Sequence, residues 1–249
     1  MKVSTLYLEN MSEIKKNVNE FNKDVEENKG YKYTTNAKFS SIVSNKRITD
    51  GVNKIIPAYV KTLMDVGCGD GTYTNEIKIC HPSIKITGVD PSVNAIKIAT
   101  DNYKNISFSD INIYDADKLA VNKYDLSVFR GVLHHLSDQS LAIKNATLFS
   151  DEMIIVEPNG NNFILKWIEK NSQYHIEHEE QSFTTKQLSD WCIENGWDIK
   201  SIKYIGYVPF FFPTFPSKII YFFQPFLELI PVINKYFSAQ IILYCKKKK

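Results

Sequence analysis

The sequence is poor in cysteine, and the few cysteines it has lie far apart. The four of them, Cys68, Cys80, Cys192 and Cys245, form no CxxC pair in 249 residues. Zinc sites and disulfide frameworks show closely or regularly spaced cysteines, so the sequence predicts neither. We therefore expect no metal ion and a reducing, cytoplasmic location.

Net charge and long apolar runs are also lacking. Thirty Lys and Arg residues against 28 Asp and Glu residues give a net charge of +2, and Lys246–Lys249 form a run typical of a solvated tail. So small an excess argues against a nucleic-acid partner. The first twenty residues contain no apolar run that resembles a signal peptide. With 43% hydrophobic and 23% charged residues, the composition is typical of a soluble globular protein with a large core.

The chain divides into three parts, which we expect to form one domain. Residues 1–60 have helical spacing and predict a helical cap, with one amphipathic helix marked by Ile14, Val18, Phe21 and Val25. A second helix is predicted over residues 42–56 and ends near Pro57. Residues 61–205 form the predicted core, and residues 206–249 hold an aromatic-rich insertion and a final strand.

The core alternates short apolar runs with helical patterns. The predicted strands are 61–66, 84–90, 106–109, 124–130, 152–157 and 198–205, followed by a last, edge strand in AQIILYC. Helices are predicted over 91–103 and 138–150, and a capping box of Thr184 and Gln187 starts another that ends around Gly196. This alternation predicts an α/β fold, a seven-stranded and mostly parallel sheet with helices on both faces.

A glycine-rich turn follows the first predicted strand, in LMDVGCGDGTYT (63–74). Gly67, Gly69 and Gly71 allow the backbone to approach a ligand closely. Asp90 ends the next strand, about 20 residues on, where a Rossmann-like site has an acid on the ribose hydroxyls. A nicotinamide dinucleotide is the competing ligand, but the carboxylates of Asp65 and Asp70 would repel its pyrophosphate. They can instead receive an amino group or balance a sulfonium, which favours S-adenosylmethionine.

These segments resemble motifs of the class I S-adenosylmethionine-dependent methyltransferases. LMDVGCGDG is similar to their first motif, ITGVDPS to the second, FSDI (108–111) to the third and YDLSVFRGVLHHL (124–136) to the fourth. The LHHL sequence resembles the small-molecule, methyltransferase type 11-like branch, as does EHEEQSFTTKQLSDWCIENGW. The resemblance covers roughly residues 60–200, and the order and spacing of the motifs make it specific.

The resemblance implies a role for each matched residue. Gly67, Gly69 and Gly71 would line the methionine portion and ribose, and Asp65 would lie near the amino group. Asp90 would bind the ribose, Asp110 and Ile111 would surround the adenine, and the backbone carbonyl of Arg130 would face the cofactor. The complete predicted cofactor site is Asp65, Gly67, Cys68, Gly69, Asp70, Gly71, Asp90, Pro91, Asp110, Ile111 and Arg130.

The acceptor site is predicted less sharply. His134 and His135 follow the fourth strand, where one could be a general base, with His135 preferred by family position; otherwise one packs on the sheet and the other orients a loop. Candidate substrate-binding residues are Tyr31, Tyr33, His178 and Phe210. YHIEHEE (174–180) is rich in metal-ligand types, but its spacing matches no known metal motif, and a charged lid segment is the favoured interpretation.

Missing motifs narrow the acceptor class. The fourth strand lacks the NPPY-like sequence of amino-group methylation, and no Pro-Cys or Thr-Cys nucleophile suits cytosine-carbon methylation. We therefore expect a small acceptor that is hydrophobic, lipid-linked or glycosylated, with oxygen slightly favoured over carbon. The alternative is a catalytically silent adaptor at a membrane or a protein partner.

The aromatic insertion between 206 and 240 has three interpretations. One apolar helical face is predicted within it, formed by Ile219, Ile220, Phe223, Phe226, Leu227 and Ile230. The favoured interpretation is a cover that, with the N-terminal helices, caps the carboxyl edge of the sheet and walls the acceptor pocket. The second interpretation is a helix that lies in a membrane interface and contacts lipid through 206–230, near the lysine tail. The third is a dimer surface.

Overall fold

The computed structural model describes residues 38–171, 181–210 and 212–248. The strands are β1 Thr62–Val66, β2 Lys85–Val89, β3 Ser107–Ser109, β4 Tyr124–Arg130, β5 Ser150–Pro158, β6 Trp197–Ile205 and β7 Gln240–Lys247. The helices are α1 Phe39–Asn53, α2 Thr72–Cys80, α3 Val93–Asn102, α4 Ala116–Leu119, α5 Gln139–Phe149, α6 Phe163–Asn171, α7 Thr185–Glu194, α8 Thr214–Leu227 and α9 Pro231–Phe237. The predicted helix of residues 14–25 lies outside the described residues.

All seven strands form one sheet, in the order β3-β2-β1-β4-β5-β7-β6. Strands β1 to β5 are parallel to one another, and β7 is antiparallel to both of its neighbours, β5 and β6. Because β6 runs in the same direction as β1 to β5, the carboxyl ends of these six strands lie at the same edge of the sheet, the carboxyl edge. The strand order reverses between β1 and β4, and ligands of open α/β sheets bind at such a reversal.

The central strands are buried on both faces, and alternate residues point to opposite sides. One face packs against α5 and α7, through side chains that include Met64, Phe129, Ile155 and Leu243. The other packs against α1 and α2, through side chains that include Leu63, Val128, Ile154 and Ile242. This confirms the predicted Rossmann-like sheet with helices on both faces.

Local signals in the sequence set several helix starts. Thr184 and Gln187 form the complete capping box that was predicted at the start of α7. Ser92 caps α3 by accepting the Ala95 N–H, and Asp138 caps α5 by accepting the Leu141 N–H. These caps fix the loops after β2 and β4 at the carboxyl edge.

Helix α1 lies across this edge, as the sequence analysis expected of the helix predicted over 42–56. Two of its hydroxyls, on Ser40 and Ser44, donate to the backbone oxygens of Phe210 and Val208, just after β6. Val208 is buried, so the beginning of the aromatic insertion packs under α1. Helices α8 and α9 then fill the rest of the connection to β7.

The position of β7 corrects two expectations, that it is an edge strand and that the lysine tail lies near the aromatic insertion. The sequence predicts an edge strand, but β7 is an interior strand between β5 and β6, and Ile241, Ile242 and Leu243 are fully buried. Its first residue pairs with Pro158 at the carboxyl end of β5, while Lys246 pairs with Glu152 near the amino end. The lysine tail therefore lies at the opposite edge from the aromatic insertion, about 24 Å along the strand.

The aromatic insertion contains the longest run of apolar residues at the carboxyl edge. Among the described parts of the chain, no helix is long and apolar enough to cross a membrane. Contrary to the expectation for a pocket cover, several large side chains of α8 are exposed rather than packed on the sheet.

Candidate active site

The turn after β1 is held in a shape that only glycine adopts easily. Gly67, Gly69 and Gly71 all have positive φ angles, of 69°, 55° and 78°. The backbone N–H groups of Gly67 and Cys68 donate to the Val89 carbonyl oxygen, at 2.7 and 3.1 Å, which ties the turn to the end of β2. A Cβ atom at Gly67 would lie 2.5 Å from a Val132 methyl, so this turn and the loop after β4 meet with no room for a side chain.

Asp90 links the glycine turn to the start of α3. Its two carboxylate oxygens accept the backbone N–H groups of Gly69, at 3.0 Å, and Ser92, at 2.8 Å. The side chain is nonetheless buried, and this burial raises the pKa of Asp90 to about 6. A carboxylate with spare acceptor capacity at this edge is suited to hydroxyl donors.

Asp65 is a second buried acid beneath the same turn. Its Oδ2 accepts the Thr74 hydroxyl at 2.5 Å, and Oδ1 has no hydrogen bond from any residue that the structure describes. Burial raises the pKa of Asp65 to about 6, although the positive charge of Arg130 opposes the shift. Asp70, also buried, accepts the Thr72 N–H at the start of α2. Buried carboxylates are costly unless donors meet them, so the turn suits a ligand that carries such donors.

The remaining predicted cofactor residues lie along the same edge. Pro91 is half-buried beside Asp90, and the buried Cys68 has its thiol pKa raised by burial and by the nearby Asp90. Asp110 is exposed just after β3, whereas Ile111 is partly buried against the core. The structure thus brings the ends of β1, β2 and β3 together at the carboxyl edge, beside the glycine turn.

Arg130 has a side-chain role that the sequence left undefined. Its guanidinium lies 3.6 Å from the centre of the Tyr73 ring and donates to Thr49 Oγ1 and to the Asn45 carbonyl oxygen in α1. Burial lowers the pKa of Arg130. The side chain therefore fastens α1 and α2 over the end of β4.

A groove of about 440 Å³ opens beside this arginine, between α1 and α2. Its lining includes Thr49, Tyr73 and Glu76, but none of the acids that surround the glycine turn. None of the predicted cofactor residues lines this groove.

His134 is held by a buried acid that the sequence analysis missed. Its Nδ1 lies 2.6 Å from Glu157 Oε2, and Glu157 Oε1 accepts the backbone N–H groups of Val132 and Leu133. Glu157 ends β5 and is fully buried. The signal was present, since a glutamate inside the apolar run MIIVEP needs a partner to be buried.

The His135 ring contacts the His134 ring at a tilt of 49°. The two imidazole centres are 3.9 Å apart, and both rings lie just after β4, beside the loop that follows Arg130. Phe210, a predicted substrate residue, is half-buried and packs against the core, with its carbonyl oxygen on Ser40. Tyr31, Tyr33, His178 and the 174–180 segment lie outside the described residues, and those residues contain no cluster able to hold a metal ion.

A comparison with known families decides what this arrangement is. The profile of the methyltransferase domain matches residues 60–206, more than half of the chain. The chain belongs to the methyltransferase-domain family. It is a class I, S-adenosylmethionine-dependent member by fold and motif, and S-adenosylmethionine is the cofactor of this family.

Solved structures share the fold of this methyltransferase domain at low identity. The methyltransferase domain of bacterial CtHen1-C has a TM-score of 0.59 at 18% identity, over 82% of this chain and 99% of that one. The plantazolicin methyltransferase BpumL, in complex with a triazolic desmethylPZN analog and SAH, has a TM-score of 0.58 at 16% identity, over 87% of this chain and 88% of that one. The [4+2]-cyclase SpnF also matches, with a TM-score of 0.56 at 18% identity, over 82% and 80%.

Curated relatives match only a part of the methyltransferase domain. One is protein 235L of Invertebrate iridescent virus 6, whose methyltransferase name is itself provisional, at 34% identity over 98 residues. Another is an uncharacterized Synechococcus protein, at 32% identity over 82 residues. The matches cover 39% and 30% of this chain, and the chain spans 34% and 19% of those two proteins' lengths.

Proposed function

We propose that the chain transfers a methyl group from S-adenosylmethionine to a small acceptor that is hydrophobic, lipid-linked or glycosylated. The observation that carries the proposal is the glycine turn with Asp90 beside it, where two buried acids with raised pKa values lie at the carboxyl ends of β1 and β2. The activity, acceptor and roles below are inferred from this geometry and from family membership.

The cofactor's parts are assigned along the carboxyl edge. The turn of Gly67, Gly69 and Gly71 receives the methionine portion and ribose, and Asp90 accepts the ribose hydroxyls. Asp65, with Oδ1 still available, supports the amino end of the methionine, and Asp110 with Ile111 surrounds the adenine. When bound, the cofactor supplies a methyl group on a positively charged sulfur. The backbone of the turn holds the ligand in place, and positioning of this kind supplies much of the rate in such transfers.

We assign the general base to His135, as its family position favours. Glu157 holds Nδ1 of His134, which leaves His134 as a fixed support that the His135 ring contacts. A base is needed when the acceptor is an alcohol, because a hydroxyl is a weak nucleophile until its proton is removed. A weakly acidic carbon would also need a base, and oxygen is slightly favoured over carbon as the attacking atom.

The three parts of the chain have separate roles in this proposal. Residues 61–205 bind the cofactor, residues 1–60 cap the carboxyl edge, and residues 206–249 complete the sheet and carry the aromatic helices. Arg130 and the hydroxyls of Ser40 and Ser44 support the assignment, since they join α1 to the other two parts.

The test is an acceptor screen with S-adenosylmethionine whose methyl group is deuterated. The purified chain is incubated with lipid, small-molecule and nucleic-acid fractions, and products are sought by mass spectrometry as a gain of one labelled methyl. We expect the label in an apolar fraction, and no product with Asp90→Ala at low cofactor concentration. Label transfer to nucleic acid alone would contradict the acceptor class.

A second candidate function is a silent adaptor, favoured by the exposed aromatic side chains of α8. The match to a [4+2]-cyclase illustrates that this fold is compatible with chemistry other than methyl transfer. An adaptor would show no turnover with any acceptor fraction, even when SAH binds. Turnover above the rate of Asp90→Ala would remove this alternative.

A further inference from the structure

Helix α8 has its apolar and polar sides reversed relative to a helix that packs on a core. Phe215, Ile219, Phe222 and Phe226 form a single stripe at steps of four, three and four residues. Phe215 is 76% exposed, Phe222 69% and Phe226 63%. The buried residues of the helix are polar instead, Ser217 and Gln224.

Polar contacts hold α8 in this orientation. Gln224 Oε1 accepts the Tyr207 N–H at 3.1 Å, which ties the helix to the segment after β6. At its end, Glu228 accepts both a guanidinium N–H of Arg47 in α1, at 2.9 Å, and the Gly206 N–H, at 3.1 Å. The exposed stripe is therefore fixed outward by hydrogen bonds on the opposite side of the helix.

Two more helices at the same edge extend the apolar surface. Helix α6 has no buried residue, and its Phe163 and Trp167 lie on one side, with Trp167 67% exposed. Phe163 contacts Phe237 of α9 edge to face, with ring centres 5.1 Å apart. We call the exposed apolar side chains of α6, α8 and α9 the aromatic surface. Isolated exposed apolar residues need no explanation, but a stripe of exposed aromatic side chains along one helix, with further exposed apolar residues on α6 and α9, is typical of a binding site.

Lysines outnumber acids among the described residues of α6, α8 and α9. Residues 163–171 and 214–237 contain four lysines, and their two acids are both paired, Glu169 with Lys166 and Glu228 with Arg47. Lys170 and Lys218 are exposed, and Lys235 is half-buried at the rim. The lysine tail does not contribute, because it follows the far end of β7.

We propose that the aromatic surface docks on a lipid bilayer that contains anionic headgroups. Amphipathic helices that combine Trp, Phe and Tyr with a rim of lysines lie in a membrane interface, where the lysines meet anionic lipid. A second copy of this chain fits the surface less well, because its own lysines would oppose those of the first copy. The docking does not depend on the proposed methyl transfer, but it would place the carboxyl edge where a lipid-like acceptor is available.

Vesicle sedimentation tests the docking directly. The full chain is mixed with vesicles of phosphatidylcholine and with vesicles that also contain phosphatidylglycerol. We expect sedimentation with the second kind, and at least about a tenfold loss of affinity in the double variant Phe222→Gln, Phe226→Gln. Both residues are exposed, so the fold tolerates the change. The control is Val121→Gln, an exposed apolar residue before β4, at the other edge of the sheet, which should bind like the wild type.

A fluorescence measurement identifies the face that meets the lipid. Of the three tryptophans, Trp197 is fully buried, Trp191 is partly buried and Trp167 is exposed. Anionic vesicles should shift the emission to the blue, and Trp167→Phe should abolish the shift while sedimentation persists. The proposal is overturned if the wild type does not sediment, or if the double variant sediments equally. It is also overturned if the double variant only converts a dimer into a monomer.

Discussion

Asp90 carries the largest share of the cofactor affinity in this account. Its carboxylate already orders Gly69 and Ser92, and it has lone pairs left for ribose hydroxyls. Replacing Asp90 by alanine should weaken SAH binding by about 1–3 kcal/mol, roughly 5- to 150-fold, through the loss of charge-assisted hydrogen bonds. Isothermal titration calorimetry measures this change.

The matched control for that variant is Asp101→Ala. Asp101 lies in the last turn of α3 and is exposed, with a salt bridge to Lys104 at 3.6 Å. Exposed pairs of this kind contribute little, so SAH affinity and the melting temperature should stay unchanged. Equal affinities for the wild type and both alanine variants would remove Asp90 from the site.

The raised pKa of Asp90 predicts how cofactor affinity depends on pH. Burial raises the pKa of Asp90 to about 6, so the carboxyl of the ligand-free protein takes up a proton as the pH falls through that value. Ribose hydroxyls bind the ionised form, and SAH affinity should therefore fall about tenfold between pH 7 and pH 5. Asp90→Asn, which cannot ionise, should show lower affinity and a flatter profile. An unchanged slope in that variant would contradict the assignment.

The raised pKa of a buried acid makes the stability of the fold depend on pH in the opposite direction to the SAH affinity, because stability increases as the pH falls. An acid whose pKa is higher in the fold than in the unfolded chain holds its proton more tightly when folded. For the ligand-free protein, Asp65 and Asp90 therefore disfavour folding above about pH 6, and this cost disappears below about pH 4. Asp90→Asn should accordingly raise the free energy of unfolding at pH 7 more than at pH 4. Denaturant titrations at the two pH values test this sign.

Once an acceptor is known, variants at His135 and at Glu157 distinguish a catalytic role from a positioning role. His135→Ala should lower kcat by about 10²- to 10⁴-fold with an oxygen acceptor and leave SAH affinity unchanged. Glu157→Gln places an amide donor beside His134 Nδ1, which forces the other tautomer of that ring. We expect a smaller loss of kcat and a displaced pH profile. A normal profile in the Gln variant would limit Glu157 to a structural role.

At the scale of elements, the close packing of the glycine turn after β1 predicts that alanine variants at two glycines differ in their free energy of unfolding. Gly67 and Gly196 have similar positive φ angles, but a Cβ atom at Gly67 would meet Val132 at 2.5 Å, whereas one at Gly196 would meet nothing within 4 Å. Each alanine variant costs about 1–2 kcal/mol for the left-handed backbone. Gly67→Ala should cost more, because Val132 must also move, and it should weaken SAH binding. Equal unfolding free energies would show that the turn and the loop after β4 are not in close contact.

The parallel strands were predictable from the sequence, whereas the positions of β6 and β7 in the sheet were not. Buried strands such as β4 and β5 appear as apolar runs because both their faces are covered. Thr184 and Gln187 predicted the start of α7 because a capping box depends on local spacing alone. The interior position of β7 depends on pairing with β5 across more than 80 residues, and nothing local in AQIILYC specifies it.

At the scale of the whole molecule, the positions of Asp65 and Asp90 at the carboxyl ends of β1 and β2 were predictable because their spacing is fixed by the βαβ unit, and their role in cofactor binding stays a prediction. Glu157 and the side chain of Arg130 were not predictable, since their partners come from distant elements. The aromatic surface was not predictable either: periodicity identifies an apolar stripe, but only the tertiary structure determines whether it faces the core or the solvent. Helix α8 faces outward because Gln224 and Glu228 find polar partners on the inner side.

A crystal structure with SAH tests the central assignment most directly. The account predicts that the ligand occupies the crevice between the glycine turn and Asp90, with its ribose hydroxyls on that carboxylate and its sulfur directed toward the end of β4. If the crevice is empty in such crystals, or filled by the chain's own side chains, the assignment of a methyl-transferring enzyme is contradicted.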